Sequence, residues 1–87
     1  MSPATGVAVR YWAGARQAAG TAEEALPPGT LAEVLALARA RHDEAFARVL
    51  SICSFLVDEQ PVGARRHDDV PLADGTVLDV LPPFAGG

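Results

Sequence analysis

Chemistry in this chain is concentrated at its end, where Pro82-Pro83-Phe84-Ala85-Gly86-Gly87 closes the sequence. Two prolines remove two backbone donors and fix φ, so a sheet must stop there. Two glycines follow, with no side chain to pack. The six residues from Pro82 to Gly87, extended at about 3.1 Å each, project roughly 19 Å from a globule. Pro82 and Pro83 stiffen the base of this arm and lower the entropy lost when it is threaded into a partner. Phe84 suits an apolar pocket beside such a channel. Gly86 and Gly87 let a narrow channel close around the backbone and reach the terminal carboxylate. That carboxylate is inert until activated, for instance as an acyl-adenylate, and the globule then serves as a handle. The plainer alternative is a frayed terminus.

The other reactive side chains have bland readings. Cys53, expected in mid-strand between Ile52 and Phe55, reads as a small hydrophobe rather than a persulfide relay. His42 falls at a helix end and His67 in a charged loop. Neither has partners at metal-ligand spacing, so no metal site is expected. Asp58-Glu59 and Asp68-Asp69 read as solvated turn residues, because adjacency along the chain does not orient an acid/base couple. Arg65-Arg66 is too short for a nucleic-acid patch. Tyr11 and Trp12 point to opposite faces of one strand, which makes one of them core and leaves the other half exposed. An exposed aromatic near Phe84 would suit a partner interface.

Eighty-seven residues form one domain with one modest core. At 49% hydrophobic and 21% charged, the chain is a packed globule rather than a disordered one. Its net charge of −4 argues against nucleic acid, which requires a basic stripe. Every basic residue is an arginine, namely Arg10, Arg16, Arg39, Arg41, Arg48, Arg65 and Arg66. Without lysine there is no side chain for a Schiff base, a P-loop or an isopeptide bond. The single cysteine excludes an intrachain disulfide and a cysteine-built zinc site. No apolar run approaches the length of a membrane span, and the expected location is the cytoplasm.

The elements that must hold the tail follow from periodicity. Val7, Val9 and Tyr11 alternate with Ala8, Arg10 and Trp12, a strand pattern, and a loop with Gly14 and Gly20 is expected next. Glu23 to Leu26 reads as a second strand completing a hairpin, stopped by Pro27-Pro28-Gly29. Thr30-Leu31-Ala32-Glu33 has the form of a capping box, and Leu31, Val34, Leu35 and Ala38 lie on one helical face. Arg39, Arg41 and His42 complement the dipole at the helix end. Asp43 can cap a second, shorter helix bearing Phe46, Val49 and Leu50; one long kinked helix over 31–50 is the alternative. Ile52 to Val57 reads as a strand, Asp58 to Pro61 as a turn, and Val62 with its neighbours as a short edge strand. Gly63 to Asp69 is an exposed loop, and Asp74-Gly75 a tight turn. Val77, Leu78, Val80 and Leu81 form the last strand. The layout is α+β, with a helix on one face of a mixed sheet.

These residues resemble the ubiquitin-like sulfur carriers of the MoaD/ThiS family, and within it the small-subunit type of molybdopterin synthase. The resemblance rests on Val7 to Ala13 leading into an Ala/Arg-rich loop, on Leu26-Pro27-Pro28-Gly29-Thr30, on Pro71 to Val77, and on Leu81 to Gly87. It covers nearly the whole chain and is specific over its last 17 residues. It implies a β-grasp domain over 1–81, with four to five strands and one main helix, and an extended tail over 82–87. It further implies a carrier that is not itself an enzyme and binds no cofactor. A partner related to the ubiquitin-activating enzymes uses ATP to adenylate Gly87, and a sulfur donor converts it to a thiocarboxylate. The tail then enters the large catalytic subunit of molybdopterin synthase and gives sulfur to the pterin precursor of the molybdenum cofactor. Carried over by position, Gly87 bears the sulfur, Gly86 gives access, and Pro82, Pro83, Phe84 and Ala85 guide the tail.

This chain departs from the family pattern at Asp58-Glu59, where Asn-Gly is common, and in a slightly long segment from Gly63 to Asp69. Both bear on partner choice more than on fold. Three rival readings follow: a sulfur carrier for thiamin thiazole, cysteine or thio-metabolite synthesis; a ubiquitin-like modifier joined to target lysines; and an interaction domain with an idle tail.

Overall fold

The computed structural model describes residues 6–83. Phe84, Ala85, Gly86 and Gly87, where most of the expected tail falls, lie outside the described residues. Strand β1 (Val7–Tyr11) buries Val7, Val9 and Tyr11 on one face, as the alternation requires. The expected loop after it is instead a helix, α1 (Ala13–Ala19). Ala-Gly-Ala-Arg-Gln-Ala-Ala is rich in good helix formers, and burial of Ala15 outweighs the propensity loss at Gly14. Gly20 takes the left-handed conformation (φ 75°) that ends the helix, its N–H donating to Arg16 O at 3.0 Å.

Strand β2 (Glu23–Leu26) returns antiparallel to β1, with Val7 opposite Leu26 and Arg10 opposite Glu23. The two-residue strand β3 (Gly29–Thr30) leads directly into α2 (Leu31–Arg41). The capping box forms as expected: Glu33 N–H donates to Thr30 Oγ1 at 3.1 Å, and Thr30 N–H to Glu33 Oε1 at 2.9 Å. Leu31, Val34, Leu35 and Ala38 are the buried face. Residues 31–50 are two helices, because His42 and Asp43 are extended and the Asp43 carboxylate accepts from Phe46 N–H at 3.0 Å to start α3 (Glu44–Leu50).

Strand β4 (Ser54–Val57) begins two residues later than Ile52, which is 62% exposed on the turn after α3. Cys53 is therefore not in mid-strand; it closes that turn, its N–H donating to Leu50 O at 3.1 Å. Asp58 and Glu59, both left-handed at φ 47° and 71°, reverse the chain in two residues. The edge strand β5 is consequently Gln60–Pro61, just ahead of Val62, and an exposed edge tolerates a residue with no N–H. The segment from Gly63 to Asp69 is exposed throughout, as expected, and contains one 3₁₀ turn (His67–Asp69). Strand β6 (Pro71–Leu72) pairs with β3 in a small second sheet, and Gly75 (φ 88°) turns the chain into β7 (Val77–Leu81).

The main sheet has the order β2-β1-β7-β4-β5, with β7 parallel to β1 and the other neighbours antiparallel. α2 and α3 cover one face through Leu31, Val34, Leu35, Phe46 and Leu50, against Val9, Leu78 and Val80. This is the β-grasp arrangement that the resemblance implies.

Candidate functional site: the base of the tail

The tail leaves from β7, a central strand held on both sides. Val80 stands opposite Tyr11 of β1, and Leu81 opposite Ser54 of β4. Trp12 N–H adds a bond to Val80 O at 3.2 Å. Pro82 is half-buried and Pro83 exposed, so the chain breaks away from the sheet at the two prolines. Leu78 and Val80 point into the core, which turns Val77, Asp79 and Leu81 toward the open face of the sheet, opposite the helices.

On that open face Asp79 is only 3% exposed. Its Oδ1 accepts from Arg10 Nε and from Trp12 Nε1, both at 2.8 Å, and its Oδ2 from Arg10 Nη2 at 3.2 Å. Burial alone would raise the Asp79 carboxyl, but the bonds from Arg10 and Trp12 and the Arg10 charge prevail and hold it below the usual value. The Arg10 guanidinium is raised in turn by its bond to Asp79. Arg10 Cζ stands 5.7 Å from the Trp12 ring centroid, a cation–π distance. Trp12 is 47% exposed, so its N–H is tied down while much of its ring faces solvent. Tyr11 is the core member of the pair and Trp12 the half-exposed one. Ala13, next in the chain, is left-handed at φ 49° and turns the backbone straight from β1 into α1. Asp79 escaped sequence reasoning, although a signal was present: it is the one charge in Val77-Leu78-Asp79-Val80-Leu81.

A second polar cluster lies on the helix side. Glu24 accepts from the Tyr11 hydroxyl and from His42 Nε2 at 2.8 Å, and forms an ion pair with Arg41, whose Nε is 3.2 Å away. An ionised carboxylate only accepts, so Nε2 of His42 carries the hydrogen in this bond. Burial pushes Glu24 up, yet these partners bring it below the usual carboxylate range; burial and the Glu24 bond push Tyr11 well above the usual phenol range. The His42 ring also packs on Phe46 at 4.5 Å. His42 thus joins the α2–α3 junction to β1 and β2, a structural task.

The remaining candidates stay apart. Cys53 Sγ donates to Val49 O at 3.2 Å, and burial pushes its thiol up, so it is held as a thiol rather than a nucleophilic thiolate. Asp58 Oδ1 accepts from Val77 N–H at 2.9 Å and braces the start of β7. Asp68 pairs loosely with Arg66 at 3.6 Å, both exposed. His67 stands edge-on to Phe55 at 5.4 Å. Among the described residues, no three His, Cys, Asp or Glu side chains are grouped to hold a metal ion, and no helix is long and apolar enough to cross a membrane.

The family model described as the ThiS family matches residues 9–87, from the middle of β1 through the terminal glycine. The chain belongs to the ThiS family. No curated protein matches it. Among solved structures, this ThiS-family chain is similar to the small archaeal modifier protein 1 from Methanosarcina acetivorans, with a TM-score of 0.80 and 22% identity over 98% of this chain and 100% of that one. It is also similar to a protein described as molybdopterin converting factor subunit 1 from Pyrococcus furiosus, with a TM-score of 0.73 and 29% identity over 94% and 100% of the two chains. A third likeness is to a chain in the complex of subunits 1 and 2 of molybdopterin-converting factor from Helicobacter pylori, with a TM-score of 0.70 and 23% identity over 97% and 100%. The ubiquitin-like β-grasp fold and the sulfur-carrier family are thereby shown for this chain. In this ThiS-family chain the Arg10–Asp79–Trp12 cluster stands on the strand that leads into Pro82.

Proposed function

We propose that this protein carries sulfur on Gly87 as the small, non-catalytic subunit of a molybdopterin synthase. The observation that carries the reading is that the ThiS-family match runs through Gly87, while the last strand, central in the sheet, ends at Leu81 just ahead of Pro82-Pro83. The likeness to proteins described as molybdopterin converting factor subunit 1, one of them in complex with subunit 2, supports the choice of pathway and of a large catalytic partner. In this reading the Gly87 carboxylate attacks the α-phosphate of ATP on an activating partner, and pyrophosphate leaves. Sulfide-level sulfur from a donor protein then attacks the acyl carbon, AMP leaves, and a thiocarboxylate remains. Thiocarboxylate is a soft anionic nucleophile at neutral pH, suited to delivering sulfur to a pterin precursor inside the large subunit. The chain's own part is to present the tail: β7 fixes its origin, the prolines direct it outward, and the exposed Trp12 ring offers the partner a contact beside it.

Intact-protein mass spectrometry after incubation with ATP, an activating enzyme and sulfide tests this reading. A gain of about 16 Da at the C-terminus, one oxygen replaced by sulfur, is the expected result. No gain, with the same enzyme loading a control carrier, rejects it. Deleting Gly87 should abolish the gain and leave the melting temperature unchanged.

The likeness to a small archaeal modifier protein favours a second reading, in which activated Gly87 is joined to lysines of other proteins. Adducts of this chain on other proteins, rather than sulfur transfer to a pterin, would select it. A carrier serving another thio-product would load identically and fail only with the pterin precursor.

A further inference from the structure

A recess of about 360 Å³ opens at the edge of the sheet, between α2, the end of α3, β4 and the 3₁₀ turn. Its floor is apolar, made by Leu35, Leu50, Phe55 and Val62, all buried. Its basic side chains are Arg39, from the last turn of α2, and His67, from the 3₁₀ turn. Among the described residues no carboxylate lines it.

That distribution runs against the composition. The chain has 11 acidic residues and 7 arginines, so a recess lined at random would be expected to carry acid. Arg10, Arg41 and Arg66 each pair with a carboxylate, whereas Arg39, like Arg16, Arg48 and Arg65, makes no ion pair among the described residues. The edge-on packing of His67 on Phe55, at 5.4 Å and 90°, seats the imidazole against the apolar wall. Cys53 also lines the recess, but its thiol is committed to Val49 O. An apolar floor with a few polar groups at the rim, in a volume of this order, is the usual make-up of a small-molecule site.

We propose that this recess binds a small organic anion: an apolar ring or branched chain carrying one carboxylate. The body rests on Leu35 and Phe55, and the carboxylate is held by Arg39, whose planar guanidinium can take both oxygens at once, with His67 beside it. This assignment is independent of the proposed sulfur chemistry, and its test involves none.

The test is a titration of the ¹⁵N-labelled full chain with phenylacetate, followed by amide chemical shifts. Inorganic phosphate serves as an anion without an apolar body, and benzyl alcohol as an apolar body without charge. Expected are saturable shifts at Phe55, Val62, Gly63 and His67, with a dissociation constant on the order of 1 mM for so small a probe. Arg39 is exposed, so Arg39→Gln should keep the native spectrum while weakening binding by about fivefold or more. His67→Gln should weaken it less. Shifts that never saturate, or that are unchanged in Arg39→Gln, overturn the proposal. So does binding of phosphate or benzyl alcohol as tight as that of phenylacetate.

Discussion

Asp79→Ala removes the carboxylate that organises the open face beneath the tail. Its oxygens accept three hydrogen bonds, from Arg10 Nε and Trp12 Nε1 at 2.8 Å and from Arg10 Nη2 at 3.2 Å. Losing one member of a fully buried ion pair destabilises by about 3–5 kcal/mol, because the surviving charge is stranded. Here the survivors are not stranded: the Arg10 side chain is 40% exposed and Trp12 is 47% exposed, so water reaches both. The expected loss is therefore smaller, about 2 kcal/mol, within the range for a hydrogen bond to a charged group. In a domain of this length that corresponds to about 8–16 °C in Tm. The acid dependence has a definite sign. Asp79 is held below its ordinary value, so its contribution is present above the unfolded carboxyl pKa of about 3.9 and vanishes as pH falls through the folded value. Urea unfolding of wild type and Asp79→Ala, stepped from pH 7 to the acid limit of folding, should show a gap that is open at neutral pH and closes in acid. Asp79→Asn keeps the shape and an accepting oxygen and should fall between them. A gap under about 0.5 kcal/mol at pH 7, within the range of neutral surface changes, refutes the argument. So does a gap that persists unchanged in acid.

Three further perturbations separate local from global effects. Thr30→Ala opens the capping box of α2 and should destabilise by about 1 kcal/mol in the same urea assay, with no change in the native spectrum beyond the helix start. Glu59→Gly relieves a left-handed residue (φ 71°) in the β4–β5 turn and should stabilise by about 1 kcal/mol; a loss of stability would contradict the strain reading. Trp12→Ala should cost less stability than Asp79→Ala, because much of the ring is already in water, yet slow thiocarboxylate loading of Gly87 in a mass-spectrometric time course. Unchanged loading would remove Trp12 from the partner surface.

What was legible in the sequence follows the strength of each physical signal. Period-two burial in Val7, Val9 and Tyr11 and the helical face of Leu31, Val34, Leu35 and Ala38 could be read directly, because one side of each element is fully covered. The Thr30/Glu33 and Asp43 caps were legible because their chemistry is local. α1 was hidden by Gly14, whose weak propensity suggested a loop, while the burial of Ala15 that decides the matter is a tertiary fact. The β3–β6 pairing joins segments some forty residues apart, two residues on each side, and leaves no periodic trace. The apolar neighbours of Cys53 suggest mid-strand, but apolar runs do not distinguish a helix-ending turn from a strand. At the site, the tail could be read from its composition, whereas Asp79 and its donors required the register that sets Arg10 beside Asp79.

In the proposed reading the domain serves as a handle, and the parallel pairing of β1 and β7 suits it to that role. An arm that is to enter a partner's channel gains from an origin that does not move. β7 gains that fixity from both sides at its last residues, with Tyr11 opposite Val80 and Ser54 opposite Leu81. The two faces of β1 then anchor it in different ways. Tyr11 reaches down to Glu24, which also receives His42 and Arg41, and so ties the strand to the junction of α2 and α3. Arg10 and the Trp12 indole close over Asp79 on the open face and tie β1 to β7 by side chains as well as backbone. Both clusters spend a charge in a sparsely hydrated place, and both keep it ionised by hydrogen bonds rather than by access to water. Arg10 stands opposite Asp79 and Tyr11 opposite Val80, so both clusters act on the part of β1 that is paired with the second half of β7, from which Pro82 departs. Fixity is therefore concentrated where the tail begins, while Pro82 and Pro83 leave the sheet without donors that could bind the arm back onto it.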